Sequence, residues 1–264
     1  MSHFQVYKSF SNAKVKFIKS LRLKKYRLQE NSFILEGEKN VTQLLASDYQ
    51  IKMVVCTAHF LNLYAHLLTK QVIEVFQVDE HILSALGTFQ ENNAALAIAT
   101  IPENKPFELD KRPYSLVLDD MNDPGNLGTI IRIADWYQLG GIICSTNTVE
   151  LYNSKVLHAS MGSFLRVHVY YTDLSTYLAQ SELPILGAFT NGPNIHDPEK
   201  TWPATGLIVI GNEAHGINQR LTPYIHQKIS IPRYGHAESL NAAVATAVIC
   251  DNLMRIRHAA NTDR

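Results

Sequence analysis

Glycine-rich phosphate signatures are missing from this chain. No G-x-G-x-x-G occurs, so dinucleotide binding of the usual kind has no support. Gly211 and Gly216 have Walker A spacing, but Ile217-Asn218 stands where Lys and Ser or Thr should follow, and Glu213 would repel a phosphate. The three cysteines, Cys56, Cys144 and Cys250, form no C-x-x-C and no disulfide pattern, which suits a reducing cytoplasm. Eleven histidines lack metal-ligand spacing, so no bound metal is expected. No apolar h-region opens the sequence and no uncharged apolar run could span a bilayer, so no membrane association is expected. Internal repeats and low-complexity stretches are also absent.

What is present describes an ordinary globular chain. Its 264 residues, 46% hydrophobic and 18% charged, suffice for one large domain or two modest ones. The formal net charge is zero, yet a third of the basic residues fall within the first thirty positions, with Glu30 as the lone acid there. Lys14, Arg22, Lys24, Lys25 and Arg27 belong to this cluster. The pattern from Asn12 to Leu28 predicts one helix with Val15, Ile18 and Leu21 inward. Its basic side reads either as an RNA-facing surface or as a solvated helix face.

Strands are expected at Ser32–Glu36, Met53–Cys56, Ile73–Val78 and Ala94–Thr100, and helices at Glu38–Ala46, Phe60–Leu68 and Glu80–Leu86, the last capped by Asp79. Residues 102–113 hold three prolines and six charges without periodicity and read as a linker. The pattern then restarts. Strands at Ser115–Leu118, Ile142–Cys144, Val167–Tyr170 and Ile185–Phe189 alternate with helices at Thr129–Leu139, Ser154–Ser160 and Asp173–Gln180. Such alternation predicts a parallel sheet with helices on both faces.

The stretch Gly206 to Val248 holds two strand-to-turn junctions in succession. Leu207-Ile208-Val209-Ile210 breaks at Gly211-Asn212-Glu213-Ala214-His215-Gly216, and Ile229-Ser230-Ile231-Pro232 leads through a polar loop to Ser239-Leu240-Asn241 and a small-residue helix. Strand ends of open α/β sheets leave backbone groups free for ligands. Taken alone, the stretch suits a backbone-held, uncharged or cationic ligand and equally suits ordinary βα turns.

With Asn126-Leu127-Gly128-x-x-x-Arg132 after the earlier strand, these pieces form three motifs in order. Over roughly 113–258 they resemble the SpoU-type branch of the SPOUT RNA methyltransferases. The first hundred residues resemble the L30e-like RNA-binding domain that precedes many such domains, notably at Phe33-Ile34-Leu35-Glu36-Gly37-Glu38-Lys39. The resemblance implies an α/β fold in which a smaller L30e-like domain (1–101) and a linker (102–113) precede a parallel-sheet SPOUT domain (114–264) with a deep trefoil knot. It also implies a homodimer, a cytoplasmic location and 2′-O-methylation of ribose in RNA by S-adenosyl-L-methionine. Ribosomal RNA is favoured over tRNA, because the added domain resembles that of the ribosomal enzymes. A tRNA enzyme, or an RNA-binding assembly factor with a vestigial cofactor site, is the alternative.

On this resemblance Gly211, Asn212, Gly216, Ile231, Pro232 and Leu240 hold the methyl donor, while Arg132, Asn126, Glu213, Ser239 and Asn241 form the catalytic set. Guanidinium stays protonated, so Arg132 would clamp a phosphate or stabilise a developing alkoxide rather than act as a base. The plain alternatives are an Arg132 ion pair with Asp135 or Asp119, Asn126 and Ser239 as helix N-caps, and Glu213 as a solvated turn acid. Ala214 departs from the family's usual Gly, and Ala242-Ala243 from Val-Ser. Both keep side chains small.

Overall fold

The computed structural model describes residues 5–9, 11–68, 74–88, 92–108 and 112–262. The chain divides into two compact units, Met1–Glu103 with Tyr152–His158, and Asn104–Leu151 with Ala159–Arg264.

The first unit contains β1 (Val6–Tyr7), α1 (Asn12–Ser20), α2 (Lys24–Glu30), β2 (Ser32–Glu36), α3 (Glu38–Leu45), β3 (Ile51–Cys56), α4 (Ala58–Leu68), β4 (Glu74–Gln77), α5 (Glu80–Leu86) and β5 (Ala95–Thr100). Its sheet runs β1-β4-β3-β5-β2. β5 is antiparallel to β2 and β3, while β4 is parallel to β1 and β3. Ile73, expected in the fourth strand, lies outside the described residues. Asp79 takes the extended N-cap conformation before α5 but makes no side-chain cap bond.

The single helix expected over Asn12–Leu28 is two. α1 stops at Ser20, and Leu23 is extended before α2 begins. The buried Arg27 guanidinium donates to the carbonyls of Leu21 and Arg22, both at 2.8 Å, and so satisfies acceptors that the break exposes. Ile18 and Leu21 still reach the core beside Ile34, Val55, Phe76, Leu83 and Leu96. The acid of the Phe33–Lys39 motif is structural: buried Glu36 accepts from the Thr88 amide at 2.7 Å and the Thr88 hydroxyl at 2.6 Å.

The second unit holds β6 (Tyr114–Leu118), α6 (Pro124–Trp136) and β7 (Ile142–Ser145). After α7 (Ser154–Ser160), which straddles the division between the units, come β8 (Val169–Thr172), α8 (Leu174–Ala179), β9 (Ile185–Ala188), β10 (Gly206–Ile210), β11 (Gln227–Ile229) and α9 (Ala242–Thr262). All six strands pair in parallel in the order β11-β9-β10-β6-β7-β8. Near-continuous burial of β6, β7 and β10 fits a parallel sheet covered on both faces.

α6 begins five residues earlier than its apolar periodicity suggests, at Pro124 rather than Thr129. Asp123 is the N-cap, its carboxylate accepting from the Asn126 amide at 2.7 Å, with Pro124 pre-set for the first turn. Asn126 is therefore inside the helix and not its cap. Likewise α9 is capped by Asn241, whose side-chain oxygen accepts from the amides of Ala243 at 3.0 Å and Val244 at 3.3 Å. Ser239 lies two residues short of that position. No helix among the described residues is long and apolar enough to cross a membrane.

Candidate functional site

Because every strand of the second sheet runs the same way, β6, β10 and β11 all end on one edge. The register pairs Ile210 with Leu118, so Gly211 and Asp119 leave adjacent strands side by side. All three motifs begin at this edge, where open parallel sheets bind ligands.

The loop after β10 is held by its own backbone. Asn212 and Gly216 exchange two bonds, amide to carbonyl, at 3.0 and 2.9 Å. The Asn212 side-chain oxygen accepts from the Ala214 amide at 2.8 Å, and its NH2 donates to the Asp120 carbonyl at 2.7 Å. A Cβ added at Gly211 would overlap the backbone of Gly216 and Ile217. Glycine at this position therefore admits the returning loop. Gly216 has φ +69 and open space around it, so its requirement is conformational.

At the end of β6 the chain turns sharply. Asp120 adopts φ 52, steadied by a bond from its amide to the Ser145 hydroxyl at 2.9 Å. Asp119 is buried and accepts from the Asn218 amide at 2.7 Å. Burial pushes its carboxyl above the ordinary range, against the opposing effect of the Asn218 bond.

Three predicted site residues meet in one chain of hydrogen bonds. Asn126 Nδ2 donates to Glu213 Oε1 at 2.5 Å, and Asn241 Nδ2 donates to Asn126 Oδ1 at 2.8 Å. The polarity of this relay is fixed from both ends. A carboxylate accepts only, so the Asn126 NH2 must face Glu213 and its oxygen must face Asn241. The Asn241 oxygen in turn faces the first amides of α9. The exposed Glu213 is thus engaged through Oε1, and is not simply a solvated turn acid.

Arg132 lies on α6 but is not brought into this relay. Its side chain is exposed and, among the described residues, makes no hydrogen bond or ion pair. Neither acid considered as its partner takes it. Asp135 is bonded by Arg166, Nη2 to Oδ2 at 2.6 Å, and Asp119 is engaged by Asn218. Burial alone would raise Asp135, but the bonds from Arg166 and Ser163 together with the charges of Arg166 and Arg112 outweigh it, and its carboxyl falls below the ordinary range.

Ile231 and Pro232 are half-buried after β11, while Ser239 and Leu240 are exposed. Among the described residues the backbone N–H groups of Ile231 and of 233–240 donate no hydrogen bond within the chain, while the Ala237 carbonyl accepts from Arg233 Nη1 at 3.4 Å, so most of this loop's backbone is open to a ligand. The same described residues hold no cluster of three metal-ligating side chains. The three cysteines are buried, with burial raising Cys56 and Cys250 to about 12, so none is poised as a nucleophile.

The basic residues of the first unit separate into two groups. Lys14 pairs with Glu74 at 2.5 Å and lies over the Phe76 ring. Arg22 donates to the carbonyls of Ala85, Leu86 and Gly87 at the end of α5. Arg27 is buried and so leaves the basic outer face, while half-buried Lys14 and exposed Arg22 are each engaged by partners within the unit. Lys24 and Lys25 remain exposed.

A parallel α/β domain whose motif loops and amide–carboxylate relay gather at one strand edge has the arrangement of an α/β enzyme that binds its ligand beyond the strand ends. The chain belongs to the SpoU rRNA Methylase family, whose model matches residues 113–251, and an MRM3-like substrate binding domain matches residues 12–97. The 23S rRNA (guanosine(2553)-2′-O)-methyltransferase RlmP of Bacillus subtilis is 31% identical over 93% of this chain and 97% of its own length. Among solved structures, a TrmH-family protein from Porphyromonas gingivalis superposes with TM-score 0.81 at 30% identity, covering 94% of this chain and 99% of that one. An AdoMet-bound rRNA methyltransferase from Sinorhizobium meliloti gives TM-score 0.85 at 25% identity, covering 96% and 98%. The expected SPOUT fold and family are borne out.

Proposed function

We propose that this chain transfers a methyl group from S-adenosyl-L-methionine to the 2′-hydroxyl of a ribose in RNA, with ribosomal RNA favoured over tRNA. The observation that carries this reading is the Glu213–Asn126–Asn241 relay, which joins the three motifs at one strand edge. Family membership and the relative acting on 23S rRNA support the substrate class.

S-adenosyl-L-methionine supplies an already electrophilic methyl, so the protein needs no metal, only a shaped pocket and an aligned nucleophile. The residues present fit that need. The largely unpaired backbone of 231–240 and the loop at Gly211, Asn212 and Gly216 offer neutral hydrogen-bonding groups, and Ile231, Pro232 and Leu240 offer apolar contact. Glu213, Asn126 and Asn241 form a rigid polar floor beside them, and Ser239 lies within the open loop. Arg132 has a planar fork free to clamp an RNA phosphate or to stabilise charge developing on the ribose oxygen.

The division of labour follows the sequence boundaries: 1–101 binds RNA, 102–113 links, and 114–264 carries the chemistry in a trefoil knot entered from about residue 206. The location is cytoplasmic. We also place a homodimer contact on α6 and α9. Trp136 at the end of α6 is 83% exposed and Val244 on α9 50%, apolar side chains that a second copy of the chain would cover. Light scattering at micromolar concentration is expected to give twice the chain mass, and a monomer would remove this part of the reading.

Transfer of tritiated methyl from S-adenosyl-L-methionine into purified rRNA and tRNA, followed by mapping of alkali-resistant linkages, tests the activity itself. Label in a ribose of rRNA supports the proposal. Donor binding without transfer to either RNA would favour the assembly-factor alternative. Lys24 and Lys25 are exposed beside the likewise exposed Lys16 and Lys19, so Lys24→Glu with Lys25→Glu should weaken RNA binding and flatten its salt dependence by about two counterions. Donor affinity should stay constant, and an unchanged salt slope would make the segment a solvated face.

A further inference from the structure

The end of β6 carries a carboxylate that the reaction as proposed does not use. Asp119 is 1% exposed, and its two oxygens are treated unequally. Oδ2 accepts from the Asn218 amide at 2.7 Å, whereas Oδ1 is buried without a partner among the described residues. Keeping an acid there opposes stability, since an apolar side chain would avoid the desolvation. The position of its one bond indicates what offsets that cost.

Asn218 closes the segment that opens at Gly211, and three ties hold this segment to the strand edge. Gly211 is covered by the backbone of Gly216 and Ile217. The Asn212 amide side chain grips the Asp120 carbonyl at 2.7 Å. The third tie is Asn218 on Asp119, which gives the downstream end a directional bond to the end of β6 beside the apolar packing of Ile217 in the core with Val117. Glu213, at the tip between these anchors, meets Asn126 only if the segment sits at the right height.

We propose that Asp119 is a positioning residue whose carboxylate sets the height of the 211–218 loop over the strand edge, and thereby the face the loop presents to the methyl donor. This rests on reading that loop as part of the donor pocket.

The test is calorimetry with S-adenosyl-L-methionine, paired with steady-state methyl transfer, on the wild type and on Asp119→Ala, Asp119→Asn, Asn218→Pro and the double variant. Asn218 has φ -57 and ψ 136, which proline can adopt, so Asn218→Pro deletes the donor amide and leaves the carboxylate. It also removes the Asn218 side-chain cap on the Arg220 amide at 3.1 Å, a loss that Asp119→Ala does not share. Asp119→Ala and Asn218→Pro should each weaken donor binding on the order of tenfold, the scale of one hydrogen bond to a charged group. Turnover at saturating donor should fall by a smaller factor than donor affinity does, the remaining loss reflecting the disturbed Glu213–Asn126 bond. Asp119→Asn keeps an acceptor and should recover most of the affinity. The double variant should be no weaker than either single one, because both remove the same bond.

Losses that add in the double variant, or an asparagine that fails to rescue, would leave Asp119 a role in the fold alone. If Asp119→Ala does not fold, Asn218→Pro with unaltered donor affinity overturns the inference by itself. A wild type that releases no heat with the donor would sink the pocket reading and this inference together. A binding wild type with unaffected variants would sink only the inference.

Discussion

Replacing Arg132 with alanine is expected to slow methyl transfer by roughly a hundredfold or more while leaving affinity for S-adenosyl-L-methionine within about twofold. The expectation follows from what surrounds the side chain. Arg132 is exposed on α6 and unpaired among the described residues, while Asp135 is held by Arg166 and Asp119 by Asn218. Removing it strands no buried charge, so the thermal midpoint should hardly move. Among the described residues the loops 211–218 and 231–240 make no hydrogen bond or ion pair with it. On the proposed role, what is lost is the guanidinium that meets the RNA, and a hundredfold corresponds to about 2.7 kcal/mol of transition-state stabilisation. Arg132→Lys should rescue poorly, because one ammonium cannot make a two-pronged contact to phosphate and ribose oxygen. Wild-type transfer by the alanine variant would leave Arg132 a surface arginine.

Gly211→Ala should abolish measurable donor binding almost as completely as Gly211→Val. If glycine were needed only to make room for a ligand, alanine would be partly tolerated. The structure gives a different cause: even one methyl at this position overlaps the backbone of Gly216 and Ile217. The loop must then lift off the strand edge, and the Asn212–Asp120 and Asn218–Asp119 bonds are strained with it. Gly216→Ala provides the contrast. With φ +69 and no atom within reach of a Cβ, it should cost only about 1–2 kcal/mol of loop strain and retain weakened binding. Calorimetry on the three variants separates the two causes. Tight binding by Gly211→Ala would refute the steric account.

The alternation of apolar runs and amphipathic stretches made the parallel sheet legible, and strand ends that break into Gly, Asn and Glu marked the edge that matters. The start of α6 was also written in the sequence, as Asp123-Pro124, but apolar periodicity begins only later and outweighed the cap signal. At the other end of the relay, Ser239 and Asn241 are both good caps, and only the backbone distinguishes them. The basic cluster misled for another reason. Whether a cation faces water depends on partners far along the chain: Glu74 for Lys14 and the carbonyls of 85–87 for Arg22. Periodicity is blind to such pairings. Asp119 was invisible as a functional candidate because its value lies in one backbone amide nearly a hundred positions away.

The sheet order also has a consequence in time. β10 lies between β6 and β9, although it follows both in the chain. While the protein is being synthesised, β6, β7 and β8 can pair as soon as they emerge, but β9 has no neighbour until Ile210 is available to separate it from β6. The open flank of β6 stays uncovered for the whole interval, a parallel edge exposed to wrong partners. Every motif loop after that point depends on an insertion between two waiting strands, not on growth at a margin. Long-range pairing of this kind makes folding slow. A chain ended just short of Gly206 would hold the β6-β7-β8 sheet and an unpaired β9, without the loop at 211–218 that carries Glu213 into the relay.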